Sequence, residues 1–240
     1  YSIDGQEINV SSDYLDFLKS DLAEICEANT WNVGRYDFWL RAPFGATVTF
    51  EGSDFTKSGQ ELVNQAMDII RKWRPALATE MIETCHAVQF IRDPTADPRK
   101  IVSFSDNSVP GALYVSIFQG EEGLIDPYDL ADSLIHEHRH QKLYLLERYV
   151  QTIEANDKLV VSPWREDLRP PSGLFHAVFV FVELKRFWIY IRDHGPSRLR
   201  SRSLNQIADS ESRLEQAFNT LEQCHLTKVG QKLLTIIKQS

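Results

Sequence analysis

The sequence predicts a predominantly helical α+β fold, and three observations carry that expectation. Long stretches repeat apolar residues at helical spacing, punctuated by Pro and Gly. Three short runs rich in β-branched and aromatic residues stand between them. The balance of 42% hydrophobic and 25% charged residues is that of an ordinary globular protein. At 240 residues the chain is long enough for one domain, 1–240, with room for a helical N-terminal lobe over 1–93.

Taken in order, residues 11–28 open with Ser and Asp and carry Leu15, Leu18, Leu22 and Ile25, the pattern of a first helix. Residues 46–50 read as a short strand. Residues 58–91 read as mostly helical, divided in two by Pro75. A loop with two prolines follows at 93–99. Residues 101–104 and 111–118 are strand candidates across a turn-rich spacer. With 46–50 they are expected to form a small antiparallel sheet. Asp126 and Pro127 give the N-cap and first position of a helix over 127–149. Residues 156–171 form a loop, 172–194 a helix stopped by Gly195-Pro196, and 204–224 and 226–239 two closing helices. The basic run Ser197 to Ser203 reads as a solvated connection between helices.

A net charge of -8 and a pI of about 5.4 argue against a general nucleic-acid binder. Cys26, Cys85 and Cys224 are far apart, with no C-x-x-C pair, so neither a disulfide scaffold nor a cysteine zinc site is expected. The longest apolar run, 174–182, contains His176 and is too short to span a bilayer. No stretch reads as a secretory signal, and a cytoplasmic setting without a membrane partner is expected. Oligomeric state is not legible.

Chemistry concentrates in His136-Glu137-His138-Arg139-His140. Four helical residues turn about 400°, so His136 and His140 share a face one turn apart. Two imidazoles so placed can hold one transition metal, with Glu137 beside them as a catalytic carboxylate. The helix with a strand upstream suits a zincin-like arrangement, in which an edge strand holds an extended peptide across the metal. The metal-site region is 111–194. His138 points to the apolar side with Leu134 and Ala131 and reads as a packed histidine. Asp129 and Glu147 lie on the ligand stripe, each two turns away, as carboxylates that could orient an imidazole.

A third ligand must come from elsewhere. The metzincin continuation is absent, because Leu143 and Leu146 stand where Gly and His would be. Glu154, Glu166 and Glu183 are the glutamates a gluzincin would use. His176 is the preferred alternative, since a histidine among Leu174, Phe175, Val178 and Phe179 is buried and needs a partner. Glu183, two turns on, is the runner-up. The loop from Ser162 to Pro171 adds Arg165 and Arg169 among prolines and Trp164. Guanidinium forks held stiffly beside a metal suit a dicarboxylate.

His136-Glu137-x-x-His140, then Ser162-Pro163-Trp164-Arg165-x-Asp167-x-Arg169-Pro170, then Gly173-Leu174-x-His176 resembles the HExxH-motif peptide-modification proteins of ribosomal peptide biosynthesis. The resemblance covers residues 133–188. It implies an iron(II)- and 2-oxoglutarate-dependent oxygenase that hydroxylates a β-carbon in a precursor peptide. His136, His140 and His176 would be the iron ligands, and Arg165 or Arg169 would clamp the distal carboxylate of 2-oxoglutarate. Glu137 would then tune the site rather than serve as a base. A buried, largely apolar pocket is expected around such an oxidant. Two other readings stand beside it. One is a zinc peptidase of gluzincin type, with Glu137 as general base. The other is a precursor-peptide-binding domain with a vestigial site.

Overall fold

A computed structural model describes residues 31–97, 100–119, 123–155 and 158–239, with the short strands β1 (Ser2–Ile3) and β2 (Gln6–Glu7), which pair with each other. The helix expected over 11–28 lies outside the described residues. The fold is α+β and predominantly helical. Its further elements are β3 (Asn32–Val33), α1 (Phe38–Arg41), β4 (Thr49–Phe50), α2 (Thr56–Trp73), α3 (Pro75–Thr84), β5 (Ala87–Arg92), β6 (Ser103–Phe104), β7 (Ala112–Val115), α4 (Pro127–Glu147), α5 (Pro171–His194), α6 (Arg200–Leu221) and α7 (Lys228–Gln239).

Pro75 splits the helical stretch as expected: Arg74 leaves helical geometry and Pro75 occupies the first position of α3. The same stretch, however, does not stay helical to residue 91. Ala87–Arg92 is strand β5, at the heart of the sheet. All but Arg92 are buried, so the run lacks the alternation of a one-faced strand.

The sheet runs β3-β5-β7-β6, with β4 also on β5. It is mixed rather than purely antiparallel. β5 is parallel to β3 and β7, whereas β4 and β6 are antiparallel to their neighbours. Parallel pairing follows from connectivity, because long excursions separate β3, β5 and β7. Within 111–118, the strand is β7, an inner strand. The edge beside α4 is β6.

One face of the sheet packs on α2, α4 and α5 through Val88, Phe90, Leu113, Val115, Leu134 and Phe187. Gly59 of α2 allows that approach, since a Cβ there would sit 2.1 Å from the Phe90 ring. A smaller cluster with Tyr114 and Ile91 covers the opposite face. A third, with Phe175, Val178, Leu214 and Leu234, joins α5 to α6 and α7. The basic run at 197–203 is largely exposed, as a solvated connection should be, but it is helical rather than a plain loop. A single 3-10 turn at Ser197–Leu199 leads into α6 at Arg200, and Arg198 and Arg202 form ion pairs with Asp126, just before α4, and with Asp129 in α4. Asp126 also caps α4, accepting from the Tyr128 backbone N–H. Among the described residues no helix is long and apolar enough to cross a membrane.

Candidate metal centre

Helix α4 presents His136 and His140 one turn apart, with ring centroids separated by 5.1 Å. Helix α5 packs beside α4 and brings His176 to the same place. The Nδ1 atoms of His140 and His176 are 3.1 Å apart. His176 Nε2 lies 2.9 Å from Glu147 Oε2, and the Thr152 hydroxyl donates to the other oxygen of that carboxylate. A carboxylate accepts, so the His176 proton resides on Nε2 and its Nδ1 lone pair faces His140. His140 Nδ1 then either donates its own proton to that lone pair or, when unprotonated, faces it with a second lone pair that a cation could share.

Burial favours the neutral imidazole at both His136 and His140. Burial pushes His136 down to about 4 and His140 down to about 3, so both offer lone pairs at neutral pH. Glu147 is held below its usual range: burial would raise it, but the bonds from His176 and Thr152 prevail. Burial raises Glu137, opposed by the nearby His140 and by Ser103, whose hydroxyl donates to Glu137 Oε1 at 2.6 Å. Glu137 Oε1 also lies 4.0 Å from His136 Nε2. Tyr144, one turn past His140, has its ring centroid 4.6 Å from that of His176.

The Arg-bearing loop is tied to this centre by aromatic contacts. Trp164 stacks on Phe181 at 4.5 Å, and Phe181 meets the His136 ring edge-to-face at 5.5 Å. Backbone bonds between Val160 and Arg169 close the loop. The two arginines then part company. Arg169 lies within the electrostatic reach of His140 and Tyr144. Arg165 lines a groove of about 640 Å³ with His136, Ser103, Asp132 and Lys100. That groove is open and strongly polar, unlike the buried apolar pocket expected.

The gluzincin glutamates do not reach the rings. Glu154 and Glu166 are exposed. Glu183 is buried among Arg74, Arg139 and Arg186, so it is neither a ligand nor a support for His176. Asp129 pairs with Arg202 rather than with a histidine. His138 is buried, as its wheel position implies, and faces Glu80 rather than His136 and His140. Sequence reasoning passed over Asp132 and Ser103. Asp132 sits one turn before His136 on the same stripe, a spacing that could have flagged it. It accepts from the Trp188 indole N–H, and burial pushes its carboxyl up to about 6. Ser103 carried no local signal.

Among the described residues no three His, Cys, Asp or Glu side chains converge as a ready metal cage. His136, His140 and His176 form a row of rings, with the His140–His176 centroids 5.4 Å apart. The donor chemistry nevertheless fits a transition-metal ion. Nitrogens each about 2.1 Å from one ion and about 90–110° apart are themselves about 3.0–3.4 Å apart. The His140–His176 separation lies in that range, and His136 is the adjacent third donor. No protein-family model matches the chain, and no curated protein sequence matches it.

Proposed function

We propose that the chain is an iron(II)- and 2-oxoglutarate-dependent oxygenase that hydroxylates a β-carbon of a ribosomally made precursor peptide. The observation that carries the reading is the meeting of His140 and His176 at 3.1 Å, from two helices, with a carboxylate fixing the outer nitrogen of His176. A peptidase of gluzincin type needs a glutamate at that third place, and none of its candidates stands there.

His136, His140 and His176 would hold the ion. Iron bound there supplies oxygen activation, with 2-oxoglutarate as the co-substrate that is oxidised. Glu147 holds His176 in one tautomer and one orientation. Arg169, on the His140 and Tyr144 side, offers a fork to the distal carboxylate of 2-oxoglutarate. Trp164 and Phe181 fix the loop that carries this arginine. Ser103 keeps Glu137 hydrogen-bonded beside the ligands. One observation favours zinc hydrolysis instead: Glu137 is a carboxylate of raised proton affinity next to the histidines, as a general base should be.

The deciding experiment loads metal-free protein anaerobically with iron(II), adds 2-oxoglutarate and looks for the visible charge-transfer band of the chelate. Oxygen is then admitted and succinate measured. The oxygenase reading expects a band that is lost in His176→Ala and weakened in Arg169→Ala. Absence of the band, together with peptide cleavage by the zinc form that stops in Glu137→Gln, would leave the peptidase.

A further inference from the structure

Among the described residues, strand β6 is an edge of the sheet, paired on one side only, with β7. The register sets which way its backbone groups point. Ser103 is opposite Val115 and Phe104 opposite Tyr114, and the Val102 carbonyl accepts from Ser116 N–H. Alternate residues of an antiparallel strand turn their N–H and C=O to opposite sides. Val102 and Phe104 therefore bond toward β7 and Ser103 turns its groups outward; the same alternation, carried one residue before Val102, turns those of Ile101 outward as well. Both outward-turned residues line the groove that also holds His136 and Asp132.

The charge of this groove runs against that of the molecule. The chain carries a net -8. Yet the groove gathers Lys100, Arg165 and Arg202 against Asp129 and Asp132. Arg202 and Asp129 neutralise each other. Asp132 is occupied on one oxygen by Trp188. Lys100 and Arg165 are both exposed at the rim. The result is a cationic trough on an acidic protein, with an open strand edge as one wall and the metal-binding helix as the other.

We propose that this groove binds an extended acidic peptide as an added strand on β6, its carboxylates meeting Lys100 and Arg165. Strand addition supplies main-chain hydrogen bonds at Ile101 and Ser103 whatever the peptide's sequence. Alternation places every second side chain on one face, where the two cations select for Asp or Glu. The added strand would pass His136, so the residue to be modified lies within a few positions of the acidic ones. The inference rests on the reading of the chain as a peptide-modifying enzyme. It divides the loop's labour, with Arg169 serving the co-substrate and Arg165 the peptide.

The test is a binding measurement on metal-free protein without 2-oxoglutarate, so failure of the oxygenase chemistry cannot affect it. The probe is a fluorescein-labelled peptide alternating valine and glutamate, compared with its valine-lysine counterpart by anisotropy. The glutamate peptide should bind, and the lysine peptide should bind about tenfold or more weakly. Arg165→Glu with Lys100→Glu should reverse the preference. Ile101→Pro, which removes an outward N–H, should weaken binding clearly more than Ile101→Ala, which loses the same packing but keeps the donor. Equal binding of the two peptides, binding of neither, or identical losses in the two Ile101 variants would each overturn the proposal.

Discussion

The Nδ1 atoms of His140 and His176 face each other at 3.1 Å, although 36 residues separate them in the chain. Glu147 sets that arrangement by accepting a hydrogen bond from the other His176 nitrogen at 2.9 Å. Glu147→Gln keeps a similar shape but loses the charge that holds the proton. Metal affinity should fall by about 10–100-fold, with folding little changed. Competition of the protein against a chelating dye for cobalt(II) would show it. An unchanged affinity would mean that Glu147 does not support a ligand.

How much of this was legible in the chain follows the reach of each signal. The start of α4 at Asp126-Pro127, the break at Pro75 and the stop at Gly195-Pro196 are local, and they stand where the sequence puts them. Strand β5 was hidden because both of its faces are buried, which erases the period-2 pattern and leaves an apolar run continuous with the preceding helix. The same blindness made the sheet look antiparallel, since parallel partners are distant in sequence. In the site, the wheel placed Glu147 on the ligand stripe but could not say whether it or Asp129 meets a histidine. That depends on α5 and α6, which deliver His176 to one and Arg202 to the other. Glu183 was misread because its arginines come from α2–α3, α4 and α5.

Trp164 reports on the loop rather than on the metal. Its ring stacks on Phe181, which in turn touches His136. Trp164→Ala should leave iron(II) binding within about twofold and weaken 2-oxoglutarate binding several-fold, because the loop bearing Arg169 loses its anchor. Titrating the chelate band with 2-oxoglutarate separates the two. Equal losses of iron and 2-oxoglutarate binding would assign Trp164 to the metal centre itself.

Glu183 is a structural hub. It is 2% exposed and contacts Arg74, Arg139 and Arg186, and Arg139 also lies 3.9 Å over the Phe179 ring. Glu183→Ala leaves the largely buried Arg139 without its carboxylate and should cost about 3–5 kcal/mol. The double variant Glu183→Leu with Arg139→Met removes both charges and should recover much of that loss. Urea midpoints for the single and double variants decide it, and a double variant no more stable than Glu183→Ala would refute the pairing.

His138 gives the pH dependence a definite sign. It is fully buried on the side of α4 away from His136 and His140, and neither ring nitrogen has a hydrogen-bond partner. The nearest carboxylate oxygen, on Glu80, is 3.5 Å away and is engaged by Lys142. Burial therefore pushes the His138 imidazole down to about 3, whereas in the unfolded chain it takes up a proton near its ordinary value of about 6.5. Between those values the unfolded state binds the extra proton, so stability falls as pH drops through this window and is fully present above it. His138→Leu removes that proton. In metal-free protein its stability should decline less steeply between about pH 6 and 4, by about 1.4 kcal/mol per pH unit. It should also gain about 1–2 kcal/mol at neutral pH, because an unpaired buried polar group is gone. Urea unfolding across that range measures both effects, and parallel pH profiles for the two proteins would show that His138 does not remain neutral in the fold.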